Sequence, residues 1–382
     1  MPSHGGLSMI YLDNAATTYF KPTPVINAVG STLKYLSANP TRSSHSLAVK
    51  AGMLVEDTRE NAAKMFGTTP DRVVFTLNCT DALNTAIFGT VKKGGHIITT
   101  VFEHNSVLRP LIRLKELGMI DYTVLSPLMG GFVSAEQVAS AIRQNTYMII
   151  TNHVSNVTGA VQPIADIGYL AEKYGLIFLV DSAQSAGYRE INMDRDKISM
   201  LAVAPHKGLH APQGVGLLLI RGKTVVRPFR YGGTGTDSAK PQPSELPEAL
   251  ESGTLPTPAI AGLNAALKYT VENADENRKK LNGMFYYTIG EMSKINGIRL
   301  YTKKEFGGNI IAFSVRGMSS SEAGNILADE YDICVRSGLH CAPLAHKHYG
   351  TLKEGMVRIA LGVENTVDEL NFFLQAVSEI SR

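Results

Sequence analysis

The stretch LIFLVDSAQ at 176–184 and, shortly after it, VAPHKGLHAPQGVGLLLI at 203–220 decide the fold. Each carries apolar runs of strand length and a chemically expensive residue, Asp181 in the first and Lys207 in the second. A carboxylate directly after five apolar residues is costly unless a cation partners it. Asp is also a good helix N-cap, so Asp181 taken alone reads either way. Lys207 lies between two buried-strand candidates, where an unpaired ammonium is disfavoured and its pKa falls. A lysine so placed suits Schiff-base chemistry; a solvated loop lysine is the plainer alternative.

Working outward, strands are expected at Arg72–Leu77, His96–Val101, Asp121–Leu125, Tyr147–His153, Leu176–Asp181, Ser199–Ala204 and Val215–Ile220. Helical patterns fall between several of them, at Thr80–Val91, Ser106–Leu117, Ser134–Arg143 and Ile164–Tyr174. This alternation implies an α/β fold, a mostly parallel central sheet flanked by helices on both faces. Ligands in such sheets bind at the carboxyl ends of the strands. Gly232–Pro258, rich in Gly, Pro, Ser and Thr, reads as a long irregular connection. Beyond it come helix around 259–294, strands near Ile310–Val315, Ile333–Arg336 and Met356–Leu361, and a terminal helix over Thr366–Ile380. These predict a smaller α+β domain. The expected division is a large cofactor-binding domain over 24–255 and a small domain made of 9–23 plus 256–382.

A length of 382 residues suits about two domains. With 44% hydrophobic and 19% charged residues the composition is that of a soluble globular protein. A net charge of +3 gives no reason to expect a nucleic-acid or membrane partner. Three cysteines, Cys79, Cys334 and Cys341, are too few and odd in number for a disulfide framework, and they fit a reducing cytosol. No apolar run approaches a membrane span of roughly 18 residues, and no secretory signal pattern opens the chain. Residues 1–8 are expected to be unstructured, with Met9 a possible start.

Two more features fall at strand ends. In FTLNCTDALNTAI (75–87) a strand runs into Thr80–Asp81 and then a helix, whose free N–H groups and Thr hydroxyl suit an anion; simple capping is the alternative. In TTVFEHNSV (99–107), His104 follows a strand and offers a flat ring for stacking on an aromatic ligand. Pyridoxal phosphate (PLP) needs an imine lysine, an acid for its pyridine nitrogen and an anion site for its phosphate. Lys207, Asp181 and the Thr80 helix start supply all three, so PLP is the expected cofactor; no metal is expected.

With these residues in place the sequence resembles the class V aminotransferase group of fold-type-I PLP enzymes, specifically the cysteine desulfurases. The marks are YLDNAATT at 11–18, EHNSV at 103–107, VSNVTG at 154–159, DSAQ at 181–184, HK at 206–207, ESGT at 251–254 and RSGLHC at 336–341. The last is similar to the RxGxHC pattern of the group that includes Suf-type desulfurases and selenocysteine lyases. The resemblance implies that His104 stacks over the pyridine ring, Asp181 pairs with its nitrogen and Gln184 hydrogen-bonds the ring oxygen, with Asn156 beside that oxygen or the substrate. It implies that Thr80 and His206 hold the phosphate, joined by Thr254 of a neighbouring subunit, so that a homodimer is the active unit. Arg358 would bind the substrate α-carboxylate, for which its planar fork is suited, with Arg336 and His340 nearby. One departure concerns the pair ahead of HK. Suf-type enzymes carry Ser or Thr and then Gly, whereas this chain has Ala204 and Pro205. One phosphate-binding hydroxyl is therefore missing there, and weaker cofactor binding is expected.

Cys341 sets the reaction. A free cysteine is often a small buried hydrophobe, the reading given to Cys334 and Cys79. Cys341 lies in a Gly/Pro-bounded loop with Arg336 and His340 close in sequence, and neighbouring cations favour the thiolate. The implied activity is conversion of L-cysteine to L-alanine, with sulfur passing to Cys341 as a persulfide and onward to a sulfur-acceptor protein. A selenocysteine lyase shares nearly all these residues. An aminotransferase would have no use for Cys341. A catalytically silent scaffold for sulfur-transfer partners would be marked by loss of Lys207 or Asp181, and both are present.

Overall fold

The computed structural model describes residues 9–40, 44–128, 131–234, 239 and 241–382. Residues 1–8 lie outside these, as do 235–238 and 240 of the expected irregular connection. The chain enters through a two-residue strand, β1 (Ile10–Tyr11), and two helices, α1 (Thr23–Tyr35) and α2 (Ser46–Phe66). The main sheet follows: β2 (Val73–Thr76), β3 (Gly95–Thr100), β4 (Ile120–Leu125), β5 (Thr146–Asn152), β6 (Ile177–Asp181), β7 (Met200–Val203) and β8 (Gly216–Ile220). All seven lie where the sequence predicts strands. Their order is β2-β8-β7-β6-β5-β3-β4, parallel throughout except that β8 runs against both its neighbours. The carboxyl ends of β2, β3, β5, β6 and β7 therefore share one edge.

The sheet is buried on both faces, which is why its strands read as continuous apolar runs. Phe178 and Val180 of β6 enter one core and Leu179 the other. Helices α3 (Cys79–Gly89) and α4 (Asn105–Glu116) cover the Leu179 face through Leu83, Ile87, Val107 and Leu111. The opposite face is covered by α1, α2, α5 (Ala135–Ser140) and α6 (Ile164–Lys173), joined by the first half of α7 (Thr257–Met292). Helix α7 bridges two cores. Ile260 and Leu263 pack in the first, while Phe285, Ile289 and Met292 pack in a second core with Ile10 and Leu12.

The second unit is a four-stranded antiparallel sheet built from β9 (Ile298–Leu300), β10 (Ile310–Val315), β12 (Arg336–Gly338) and β13 (Met356–Ala360), in the order β12-β13-β10-β9. Around it lie β11 (Ile333–Cys334), α8 (Ser320–Tyr331), α9 (Pro343–Tyr349) and α10 (Val367–Ile380). The single strand expected over Ile333–Arg336 is in fact two. Ile333 and Cys334 pair in parallel with β1, while Arg336 turns to pair with Arg358 on β13.

Glu251, from the ESGT stretch, ties the irregular connection to β2. Its carboxylate accepts from Arg59 Nη1 at 3.0 Å, Arg59 Nη2 at 2.7 Å and Phe75 N at 2.6 Å, all out of water. No helix among the described residues is long and apolar enough to cross a membrane.

Candidate active site

The shared edge of strand ends opens into a cavity of about 290 Å³. Among the described residues lining it, Asp181 is the one carboxylate and Lys207 the one amine; His104 and His206 supply the imidazoles, and Thr80, Ser106, Asn156 and Gln184 supply neutral polar groups. Six of the residues singled out from sequence for the cofactor, together with Asn156, are thus brought to one place. Gly216 permits this. A Cβ there would lie 2.5 Å from the carbonyl carbon of Asn78, so only glycine lets the chain leaving β2 cross over the start of β8 toward β6.

Asp181 closes β6 and is buried. Its Oδ1 accepts from Ala183 N at 2.9 Å and from the Cys79 thiol at 3.7 Å, which leaves Oδ2 for a ligand. Lys207 is half-buried, and loss of water around its amine lowers its pKa, with the attraction of Asp181 partly opposing the shift. A larger neutral fraction makes the amine a better nucleophile and base. Burial likewise lowers the pKa of His104, and that of His206 to about 4 with Lys207 adding to the effect, so both rings are neutral at neutral pH. His104 caps α4, its Nδ1 accepting from Ser106 N at 3.1 Å. Asn78 caps α3 through Asp81 N, so Cys79 and Thr80 hold first-turn N–H groups that have no partner within the helix.

These residues fit PLP. The buried amide oxygens of Asn152, Asn156 and Gln184 have no hydrogen-bond partner, and all three residues line the cavity. Such orphaned acceptors are rare unless a ligand or water meets them. Lys207 would hold the aldehyde, Asp181 the pyridine nitrogen, and the α3 start with His206 the phosphate.

Five residues expected at the site lie outside this cavity, Cys341 among them. Thr254 is exposed and does not line it. Arg358 is buried behind Asn156, donating from Nη1 to Asn156 O at 2.8 Å and from Nη2 to Asp13 Oδ1 at 2.8 Å, with Nε unpartnered. Arg336 is exposed at the start of β12. His340 is buried and stacks on His346, ring centroids 5.5 Å apart, with Nδ1 and Nε2 at 3.3 Å. The expectation that His340 is a cation beside the thiol is corrected here. Burial first, then the nearby Arg358, lowers its pKa to about 3, so the ring is uncharged at neutral pH.

Cys341 is exposed and lines an adjoining groove together with Thr80, His104 and Ser106, three residues that also line the Lys207 cavity. His340 and Cys341 both adopt left-handed backbone, φ +49° and +55°, a conformation costly for side-chain-bearing residues. Hydrogen bonds hold this turn: Asn156 Nδ2 donates to His340 O at 2.6 Å and Asn105 N to Cys341 O at 2.7 Å. The thiol is thereby fixed at the mouth of the site.

The pattern of the class-V aminotransferase family matches residues 10–373. The chain belongs to this family. Among curated relatives, a probable cysteine desulfurase of Methanothermobacter thermautotrophicus is 31% identical, with 97% of this chain and 94% of the relative covered. The cysteine desulfurase IscS of Dictyoglomus turgidum is 30% identical over the same shares. Among solved structures, the apo cysteine desulfurase of Thermococcus onnurineus superposes with a TM-score of 0.91 at 29% identity, covering 98% of this chain and 94% of that one.

Several residues at or beside this class-V site were not assigned from sequence, Asn78 and Asn152 of the cavity among them. Ser106 stood inside the quoted EHNSV without a role, and Cys79 was read as packing although it touches Asp181. Glu103 is fully buried, accepts from Thr100 Oγ1 at 2.5 Å and has its other oxygen unpartnered. Burial raises its pKa from 4.5 to about 8. Between those values the folded state holds one proton more than the unfolded chain, so stability falls as pH rises from 4.5 to about 8 and levels off beyond. Glu103→Gln is neutral throughout and is expected to flatten that slope in urea melts; a slope equal to wild type's would clear Glu103 of any part in it.

Proposed function

We propose that this chain acts on L-cysteine as a PLP-dependent desulfurase, with Lys207 as cofactor anchor and Cα base and Cys341 as sulfur nucleophile. The observation that carries the reading is the placement of Cys341 on a groove sharing Thr80, His104 and Ser106 with the Lys207 cavity. When bound, PLP supplies an electrophilic aldehyde and a ring that accepts negative charge from the substrate's Cα.

The chain's own groups do the rest. Arg358, buried against Asp13 and Asn156, would receive the substrate α-carboxylate through its free Nε side. Lys207, low in pKa, would take the Cα proton and return it. His104, neutral and with Nδ1 engaged by Ser106, would present its ring to the cofactor face. The Cys341 thiolate attacks the substrate sulfur; the S–S bond forms as the Cβ–S bond breaks, and the carbon skeleton keeps the electron pair, gains protons and leaves as alanine. The persulfide then passes its outer sulfur to an acceptor thiol, a step suited to a reducing cytosol.

Thr254, exposed and away from its own chain's cavity, would complete the phosphate site of a second copy. Exposed Ile26, Leu33 and Met53 on α1 and α2 offer an apolar surface for that copy. Sedimentation at the mass of a single chain would remove this part of the proposal.

Assays with L-cysteine are expected to give alanine and sulfide in equal amounts once a thiol reductant is present. Pyruvate with pyridoxamine phosphate would instead indicate transamination. A kcat/KM for selenocysteine far above that for cysteine would favour the lyase, since selenium leaves more easily.

A further inference from the structure

The hydroxyl that the sequence lacks at Ala204 has a counterpart on another element. Ala204 lines the cavity beside His206 and Lys207, presenting only a methyl group. Ser106, in the first turn of α4, lines the same cavity and is 8% exposed. Its Oγ lies 2.8 Å from Thr80 Oγ1 and 2.7 Å from His104 Nδ1. The two hydroxyls therefore form a pair on the wall where the first turns of α3 and α4 meet.

Resting on the PLP reading above, we infer that Ser106 is a phosphate-binding residue of this enzyme, its hydroxyl doing from α4 what residue 204 cannot do from the end of β7. The hydrogen-bond arithmetic permits it. His104 Nδ1 accepts from the Ser106 backbone N–H, so the Ser106 hydroxyl can turn its proton to an anion without leaving the imidazole nitrogen unpartnered. The Thr80 hydroxyl, 2.8 Å from Ser106 Oγ, can supply the proton of that contact, which leaves the Ser106 proton for the anion. The Ser106 O–H then joins the unsatisfied N–H groups of the α3 start, a donor set suited to a phosphate and of no use to the neutral part of the cofactor. Through the same backbone N–H, Ser106 also sets the His104 tautomer, placing the ring proton on Nε2.

The test compares PLP with pyridoxal, which lacks the phosphate, in absorbance titrations of cofactor-free protein. Ser106→Ala should weaken PLP binding by roughly 10- to 100-fold, the worth of one hydrogen bond to a charged acceptor, and leave pyridoxal binding unchanged. The double variant Ser106→Ala with Ala204→Ser returns a hydroxyl to the cavity wall and should recover most of the PLP affinity. Ser106→Thr, which keeps the hydroxyl, should bind PLP as wild type does. Equal weakening of PLP and pyridoxal would make Ser106 a structural residue only and overturn the inference. So would a Ser106→Ala protein with wild-type PLP affinity, or a double variant as weak as the single one. Failure of the wild-type protein itself to bind PLP would overturn the cofactor reading, a result separate from the other three.

Discussion

Replacing Cys341 with alanine is expected to abolish sulfide release from L-cysteine, a loss on the order of 10³-fold or more for removal of a nucleophile, while the visible absorbance of the bound cofactor persists. The separation follows from position. Cys341 lies on the outer groove and not in the Lys207 cavity, so its thiol has no part in holding the cofactor. The turn that carries it is fixed through backbone carbonyls, of His340 by Asn156 and of Cys341 by Asn105, and alanine preserves both contacts. The left-handed φ of +55° costs alanine what it costs cysteine, so the variant should fold as the parent does. Turnover with selenocysteine should fall less, because selenium departs without needing so strong a nucleophile. A Cys341→Ala protein that still desulfurates cysteine at the parental rate would rule out the persulfide route.

Lys207→Ala is expected to remove both the visible Schiff-base band and turnover, the latter on the order of 10³-fold or more, because one amine serves as anchor and base. The substitution spares the local fold. Lys207 contributes to its own loop through its backbone carbonyl, which accepts from His210 N at 2.8 Å and Thr18 Oγ1 at 3.3 Å, and alanine keeps that group. Gly208 next to it allows the loop to pack closely, since a Cβ there would lie 2.3 Å from Ala186 O. PLP should still bind, held by the phosphate end, but reversibly and with free-aldehyde absorbance. Retention of the Schiff-base band in Lys207→Ala would place the imine on another amine. Lys21 would be the first to examine: burial lowers its pKa to about 8, and its Nζ donates to His206 O at 3.3 Å.

The sheet was legible because its strands are buried on both faces, so runs such as LIFLVD and GVGLLLI stand out by composition alone. Asp181 and Lys207 were legible because a charge at the end of such a run needs a reason. What was not legible depends on strand order. Thr80 follows β2 at one edge of the sheet and Ser106 follows β3 near the other, yet their hydroxyls meet because the chain crosses over β8 toward β6 before α3 begins. No local pattern contains that crossing, so Ser106 and the Cys79–Asp181 contact appear only in three dimensions. His340 shows the converse error. Proximity in sequence to Cys341 suggested a cation, and stacking on His346 within a buried pair makes it a neutral support for the turn. Arg358 was singled out for its fork, but its partner Asp13 lies 345 positions away in the chain.

The most direct test of the central claim is to treat the PLP-loaded enzyme with L-cysteine without reductant, alkylate it, and read each cysteine peptide by mass spectrometry. The account predicts one extra sulfur atom on the Cys341 peptide, none on Cys79 or Cys334, and one alanine released per site. Alanine formed while Cys341 stays unmodified, or sulfur found on Cys79 or Cys334 instead, would contradict it.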